Sequence, residues 1–203
     1  MRKLYENIED IYIKGNPAQL TEAITEMDVS LQTISDATEY LSEQLVRYSG
    51  SNKGAQYQRV VATVMEVRDE LYLASIELNE MQNQIVAYQN KIFRYEDMTE
   101  CAVAPNPHLV QRSNIYVDES VVQFSLPEMM SVVQCLAGYH ELVTAHTHKL
   151  LDNRDYISTF WCDSQYNLFS QFIGEVCVAI VDALKEFSDY LTVLDQKIKE
   201  LSQ

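Results

Sequence analysis

Residues 54–60 read Gly-Ala-Gln-Tyr-Gln-Arg-Val, and residues 163–169 read Asp-Ser-Gln-Tyr-Asn-Leu-Phe. In both stretches a Gln-Tyr pair opens a long run in which apolar residues recur at steps of three and four, the spacing of an α-helix. The two runs keep the same register over an offset of 109 residues. The matched apolar positions are Val60 with Phe169, Val64 with Ile173, Val67 with Val176, Leu71 with Ile180, Leu78 with Phe187, and Ile85 with Leu194. We therefore predict one helical unit used twice; the alternative is that two unrelated heptad helices fall into register.

The composition indicates a helical protein with an acidic surface. Only 5 of the 203 residues are glycine and 4 are proline, and the chain is long enough to bury a sizeable core. The formal net charge of −15 argues against nucleic acid as a partner and disfavours an anionic membrane surface. We interpret the acidity as a solvated outer face rather than as a dedicated site for a basic partner.

Neither the N-terminus nor any apolar run has the form of a signal peptide or a membrane span. The N-terminus lacks an apolar signal core, and no apolar run approaches the roughly 20 residues of a span. The cysteines form no C-x-x-C pair and are expected to be free thiols in a reducing compartment. They are Cys101, Cys135, Cys162 and Cys177. We expect a cytoplasmic protein, or one that is secreted without a cleaved signal peptide.

The first half of the chain predicts two long helices joined by a glycine-bearing turn. Asn16 and Pro17 suit the cap and the first position of the first helix, and residues 49–54 should end it. Both helices have a narrow, coiled-coil-like seam. The first seam is Leu20, Ile24, Met27, Leu31, Ile34, Thr38, Leu41, Leu45 and Tyr48; the second is Tyr57, Val60, Val64, Val67, Leu71, Ala74, Leu78, Met81, Ile85, Tyr88, Ile92 and Tyr95. A helix as long as the second one, with a single narrow apolar stripe, needs a packing partner along its length to be stable in water.

The second half predicts another helix pair after an irregular segment. Residues 115–117 and 121–124 are short apolar lead-ins like residues 11–13, and we expect these segments to be extended and to pair with one another. Ser125 and Glu128 form a predicted capping box. Residues 152–155 should end or bend the third helix, residues 156–162 form an aromatic connection, and Asp163 should cap the fourth helix. The seams are Met129, Val132, Leu136, Tyr139, Val143, His146 and Leu150, then Tyr166, Phe169, Ile173, Val176, Ile180, Ala183, Phe187, Tyr190, Leu194, Ile198 and Leu201.

These patterns predict an all-α fold with an internal duplication. Two long antiparallel hairpins should form one elongated four-helix bundle. The first hairpin, a degenerate repeat, covers residues 1–97 with a lead-in at 1–16; residues 98–125 connect it to the second hairpin, residues 126–203. The connection is long enough for packing within one chain or for a swapped homodimer.

The sequence offers no catalytic constellation. His140, His146 and His148 share a helix but point to different sides, so they cannot converge on one metal, and His146 is expected to be a buried hydrogen-bonding histidine. No Glu-x-x-His pair supports a di-iron site, and no nucleophile or phosphate-binding motif occurs. We predict no enzymatic activity, no cofactor and no metal site.

Trp161, the only tryptophan, lies in the predicted turn of the second hairpin. One interpretation is a hydrophobic plug that closes the end of the bundle. The other is an exposed recognition residue, since tryptophan is a favoured interface anchor. The candidate partner-binding residues of this turn are Phe160, Trp161, Asp163, Tyr166 and Phe169, and their counterparts in the first repeat are Gly54, Gln56 and Tyr57.

A helical hairpin with Trp-x-small in its turn and Phe eight residues after the Trp resembles the WXG family of type VII (ESX) secretion. Residues 129–201 carry the resemblance, with Trp161-Cys162-Asp163 in the turn, then Phe169, and Tyr190 late in the second helix. The first hairpin, residues 20–95, is similar only in length, periodicity and its glycine-bearing turn. Family members dimerise as hairpin pairs, so the resemblance implies that this tandem chain imitates such a dimer.

The chain departs from the family pattern at two places. Asp163 stands where the family has glycine. The family's export signal, Tyr-x-x-x-Asp/Glu, is not matched after the last helix, because Leu194 follows Tyr190 at that spacing and Asp195 comes one residue later. The resemblance therefore implies a protein that binds a secretion component or a helical toxin or effector, as partner, adaptor or substrate. The alternative is a structural helical-bundle or coiled-coil scaffold unrelated to secretion.

Overall fold

The computed structural model describes residues 15–202, apart from the side chain of Glu186, as a bundle of four long α-helices. Helix α1 covers Pro17–Ser51, α2 covers Ala55–Tyr95, α3 covers Leu126–Ile157 and α4 covers Ser164–Leu201. The described residues form no β-strand beyond one isolated bridge between Lys53 and Gln123. The prediction of an all-α helical bundle is confirmed; the duplication stays a hypothesis.

Each helix packs against two neighbours, and every neighbouring pair is antiparallel. Helix α1 packs against α2 and α3, and α4 packs against the same two helices, whereas the described backbones of the diagonal pairs stay apart. Two buried polar contacts fix the register of α1 on α3: the hydroxyls of Thr38 and Tyr139 lie 2.9 Å apart, and Ser30 Oγ lies 3.2 Å from His146 Nδ1. Helices from both predicted hairpins contribute to a single hydrophobic core.

The seams predicted from periodicity are buried along most of every helix; in α4 Ala183 and Tyr190 are only half-buried, and the exposed seam positions are at helix ends. All nine predicted positions of α1 and all seven of α3 are buried. At the tips, Tyr95 is 64% exposed and Leu201 is 38% exposed. The periodic pattern continues past the point where a neighbouring helix can cover it, so it overestimates burial there.

The helix ends agree with the expected caps in part. Asn16 accepts hydrogen bonds from the backbone N–H groups of residues 18 and 19, at 3.0 and 3.4 Å, as expected. Ser125 is at the N-cap of α3, but its side chain makes no capping bond, so the predicted capping box is wrong. Helix α1 runs on to Ser51, and α3 runs through the predicted break at 152–155 to Ile157. Ile157 is fully buried, and Asn153 donates to the Ala23 carbonyl at 2.8 Å, so packing extends α3.

The segment between α2 and α3 returns along the full length of the bundle. Near its end, Gln123 pairs with Lys53 in the loop between α1 and α2 rather than with another lead-in. The other predicted lead-in, residues 11–13, lies outside the described residues. We refer to residues 98–117 as the strap. Three of its side chains are buried against the helices: Val110, Ile115 and Val117.

Candidate protein-binding surfaces

Trp161 is a buried contact between the two hairpins. Its side chain is 0% exposed, and its indole stacks on Tyr88 of α2, with ring centroids 4.8 Å apart and planes 26° from parallel. Phe169 and Tyr166 pack on the other sides of the ring, with centroid distances of 5.6 and 6.0 Å. An indole surrounded in this way supplies core packing. The side chain lies where the plug interpretation put it, and it cannot be an exposed recognition residue in this conformation.

Asp163 joins the turn to both hairpins through its two carboxylate oxygens. Oδ1 accepts from the Trp161 indole N–H at 2.8 Å and caps α4 by accepting from the backbone N–H groups of Gln165 and Tyr166, at 2.9 and 3.2 Å. Oδ2 accepts from the Tyr88 hydroxyl. The carboxylate is 7% exposed, and a buried charge of this kind requires such partners. Asp163 was expected to cap the helix; its bonds to Trp161 and Tyr88 were not foreseen.

The predicted partner-binding residues of this turn therefore divide into two groups. Trp161, Asp163 and Phe169 are buried, so they cannot contact a partner unless the bundle opens. Phe160 and Tyr166 are half-buried, and the Tyr166 hydroxyl is already donated to the Arg154 carbonyl at 3.1 Å. Phe160 remains the candidate contact here, beside Tyr156, whose ring centroid is 5.4 Å away and which is 41% exposed.

The first-repeat counterparts lie at the opposite end of the bundle, under the connection to α3. Gly54 has φ of 117°, which favours glycine, and its N–H donates to the Asp118 carbonyl at 2.9 Å. Gln56 is exposed, and the half-buried ring of Tyr57 meets Tyr48 edge-on at 6.1 Å. Gln56 and Tyr57 also line an open cleft of about 410 Å³ between α2 and α4. The two ends of the bundle therefore present different surfaces.

The two hairpin turns differ at the residue of the first turn that corresponds to Trp161 of the second. The 109-residue offset places Asn52 opposite Trp161, and Asn52 is also fully buried. Its amide donates to the Tyr48 carbonyl at 3.2 Å and accepts from the Ser125 N–H at 2.9 Å. A polar residue here ties the first turn to the start of α3, whereas the aromatic one ties the second turn to α2.

The outward face of α4 exposes apolar side chains in an otherwise acidic protein. Val178 is 60% exposed and Val181 is 47% exposed, and Ala179 beside them is also exposed. The most apolar 18-residue window of this helix has a mean hydropathy of 1.4, and only 33% of that window is buried. By length and composition α4 could cross a membrane, which qualifies the expectation of no span. A core helix of a soluble protein passes the same test, and α4 buries Phe169 and Ile173 in the core.

The histidines are dispersed, as their spacing predicts. His146 is buried against Ser30, and its burial and the nearby Lys149 ammonium lower its pKa. His140 is half-buried beside the Phe187 ring, and His148 is exposed. Within residues 15–202, no group of three or more His, Cys, Asp or Glu side chains is placed to hold a metal ion.

No family model, curated protein or solved structure matches this chain. The resemblance to WXG proteins thus stays a prediction from the residues of the second hairpin, and the functional argument depends on the surfaces described above.

Proposed function

We propose that this chain is a non-catalytic protein that works by binding another protein through the outward face of α4. The observation that carries the proposal is that three apolar side chains, Val178, Ala179 and Val181, are exposed next to one another on the outward face of α4. Contiguous exposed apolar surface of this kind marks interaction sites in soluble proteins. It is flanked by the charged residues Glu175, Asp182 and Lys185, which would form a polar rim.

The finer proposal takes the partner class from the resemblance of the second hairpin to WXG proteins. In that case the chain is a partner, adaptor or substrate of a type VII secretion pathway, and the partner is a secretion component or a helical toxin or effector. Two antiparallel hairpins joined in one chain suit that proposal, because the family builds the same bundle from two chains. The neighbouring genes test it: a secretion-type membrane ATPase or a toxin with a helical N-terminus beside this gene would support it.

The alternative is a structural scaffold, and the burial of Trp161 favours it over recognition by the turn. The two proposals differ in what α4 does. Val178→Glu with Val181→Glu should abolish co-purification of the partner while leaving the far-ultraviolet circular dichroism spectrum unchanged, because both side chains are exposed. The matched control is Val46→Glu, which changes a valine that is 57% exposed on α1. Equal partner recovery from all variants would refute the α4 surface.

A further inference from the structure

The strap is held in a groove between α1 and α2 by side chains that bind its backbone. Asn79 pairs with both main-chain groups of His108: Oδ1 accepts from the N–H at 3.0 Å and Nδ2 donates to the carbonyl at 2.8 Å. Asn90 pairs in the same way with Ala102, at 2.7 and 2.9 Å. Each asparagine thus contacts the strap as a neighbouring β-strand would.

Three more side chains of α2 continue this ladder. Ser75 Oγ accepts from the Val110 N–H at 3.2 Å, and Gln58 Oε1 accepts from the Val117 N–H at 2.9 Å. Arg68 donates to the carbonyl of residue 113. All these contacts are made to main-chain atoms, so they recognise an extended polypeptide with little regard to its sequence.

The spacing of the contacts shows that the strap is fully extended and antiparallel to α2. From position 58 to position 90 of α2 there are 32 residues, or about 48 Å at about 1.5 Å per helical residue. The strap covers the same distance from position 117 to position 102, 15 residues or about 50 Å at about 3.3 Å per extended residue. The two lengths agree, so the groove fits one extended strand along its whole course.

The polar side chains beneath the strap bond both to it and to their own helix, whereas much of the strap faces solvent. Arg68, Ser75 and Asn79 are 4%, 3% and 7% exposed beneath the strap. Each also has a partner on its own helix: Asp69 for Arg68, the Tyr72 carbonyl for Ser75 and the Ser75 carbonyl for Asn79. These side chains therefore keep a partner when the strap leaves. The strap in turn leaves much of its own surface in solvent: Val103 is 84% exposed and Tyr116 is 75% exposed. Such a segment can be exchanged for another with the same backbone geometry.

Charge complementarity indicates which peptides the groove prefers. His108 Nε2 lies 3.3 Å from Asp28 Oδ1 on α1, and the Arg112 guanidinium pairs with Asp69 on α2 at 3.1 Å. Val110, between these two basic residues, is buried. The preferred sequence therefore has two basic residues four apart with an apolar residue midway.

We propose that the groove between α1 and α2 is a peptide-binding site, that the strap occupies it in the free protein, and that an extended, weakly basic segment of a partner protein displaces the strap. The proposal goes beyond the α4 surface and does not depend on it, since no residue of α4 contributes to the ladder.

The test uses a fluorescently labelled synthetic peptide of residues 100–117 and the full chain, with binding followed by anisotropy. The double substitution His108→Ala with Arg112→Ala removes two side-chain contacts that hold the strap in the groove, whereas the peptide keeps both. We refer to this variant as the opened chain, and it should bind the peptide about fivefold or more tightly than the wild type. Adding Asn79→Ala and Asn90→Ala should weaken that binding at least about tenfold, since both bidentate contacts are lost. Asn83→Ala, an exposed asparagine on the same helix, is the matched control and should change nothing.

Two results would overturn the proposal. One is an opened chain with an unchanged helical spectrum that binds the peptide no better than the wild type, or just as well without Asn79 and Asn90. The other is an opened chain that dimerises by light scattering and ignores the peptide, which would assign the groove to strap exchange between two copies.

If the opened chain does not fold, hydrogen exchange on the wild-type protein tests whether the peptide displaces the strap. Excess peptide should accelerate exchange at the strap amides of His108 and Val110 while the interior of α3 stays protected; no acceleration at saturating peptide would contradict displacement.

Discussion

The indole of Trp161 lies on the ring of Tyr88, with centroids 4.8 Å apart. The two residues are 73 positions apart in sequence and belong to different hairpins. Through this stack and the shared carboxylate of Asp163, the turn between α3 and α4 is tied to α2. The aromatic turn therefore holds the hairpins together, and Phe160 is the residue of the turn that remains a candidate contact for a partner.

Trp161→Ala should lower the free energy of unfolding by about 3–5 kcal/mol, because it removes a fully buried aromatic side chain. Urea unfolding followed by circular dichroism measures the loss. The control is Tyr156→Ala near the end of α3, a side chain that is 41% exposed, which should cost less than about 1 kcal/mol. Similar losses for the two variants would mean that Trp161 is not enclosed in solution.

Tyr88→Phe and Asp163→Asn should be coupled in a double-mutant cycle. The hydroxyl of Tyr88 donates to the buried carboxylate, and hydrogen bonds to charged groups contribute about 1.5–3 kcal/mol. The interaction energy from four urea-unfolding measurements should therefore exceed about 1 kcal/mol. Additive effects within about 0.5 kcal/mol would show that the bond contributes nothing to stability.

The stability contributed by His146 should fall as the pH falls. Burial lowers its pKa in the folded protein, whereas the unfolded chain keeps a value near about 6.5, so the unfolded state binds the proton more readily. The stability advantage of the wild type over His146→Gln should be complete at about pH 8 and shrink as the pH drops through about 6.5 toward 5. Comparing the two proteins cancels the titration of the many surface carboxylates. A difference that does not change with pH would contradict a buried neutral imidazole.

The four thiols should differ in reactivity toward an alkylating reagent. Cys101 and Cys162 are exposed and should react quickly in the native protein, whereas burial raises the pKa of the Cys177 thiol to about 11. Mass spectrometry of the native and the unfolded chain separates these cases. Cys177 should be modified only after unfolding; rapid labelling of Cys177 in native buffer would indicate that α3 and α4 separate.

Periodicity located most of the core of each helix, because long antiparallel helices bury one face regardless of what lies beyond it. In α4 it named Ala183, which is half-buried, and missed Leu184, which is buried. Thr38 and His146 were placed in seams despite their polarity, and they meet Tyr139 and Ser30 across the α1–α3 contact. Local reasoning failed where tertiary packing overrides local signals. The Asp-Asn-Arg-Asp run at 152–155 resembles a helix stop, yet Ile157 keeps α3 going because it is buried.

Apart from residues 115–117, which were expected to be extended, the strap was predicted only as an irregular connection, and the reason is physical. Its hydrogen bonds are made to side chains of α2, so no pattern within residues 98–117 reveals them. The sequence signal for the strap lies in α2. Ser75 and Asn79, one turn apart beside the apolar seam of that helix, are polar residues that are buried in the folded protein. The packing of Trp161 on Tyr88 was likewise not predictable from the turn, since the partner ring comes from the other hairpin.

The central claim is that α4 binds a partner protein through its outward face. A photo-crosslinking amino acid placed at Val178 in living cells tests it most directly, with Tyr40, 58% exposed on α1, as the control position. The account predicts a discrete adduct of defined mass from position 178, lost when Val181→Glu is added, and none from position 40. No adduct from position 178, or the same adducts from both positions, would contradict it.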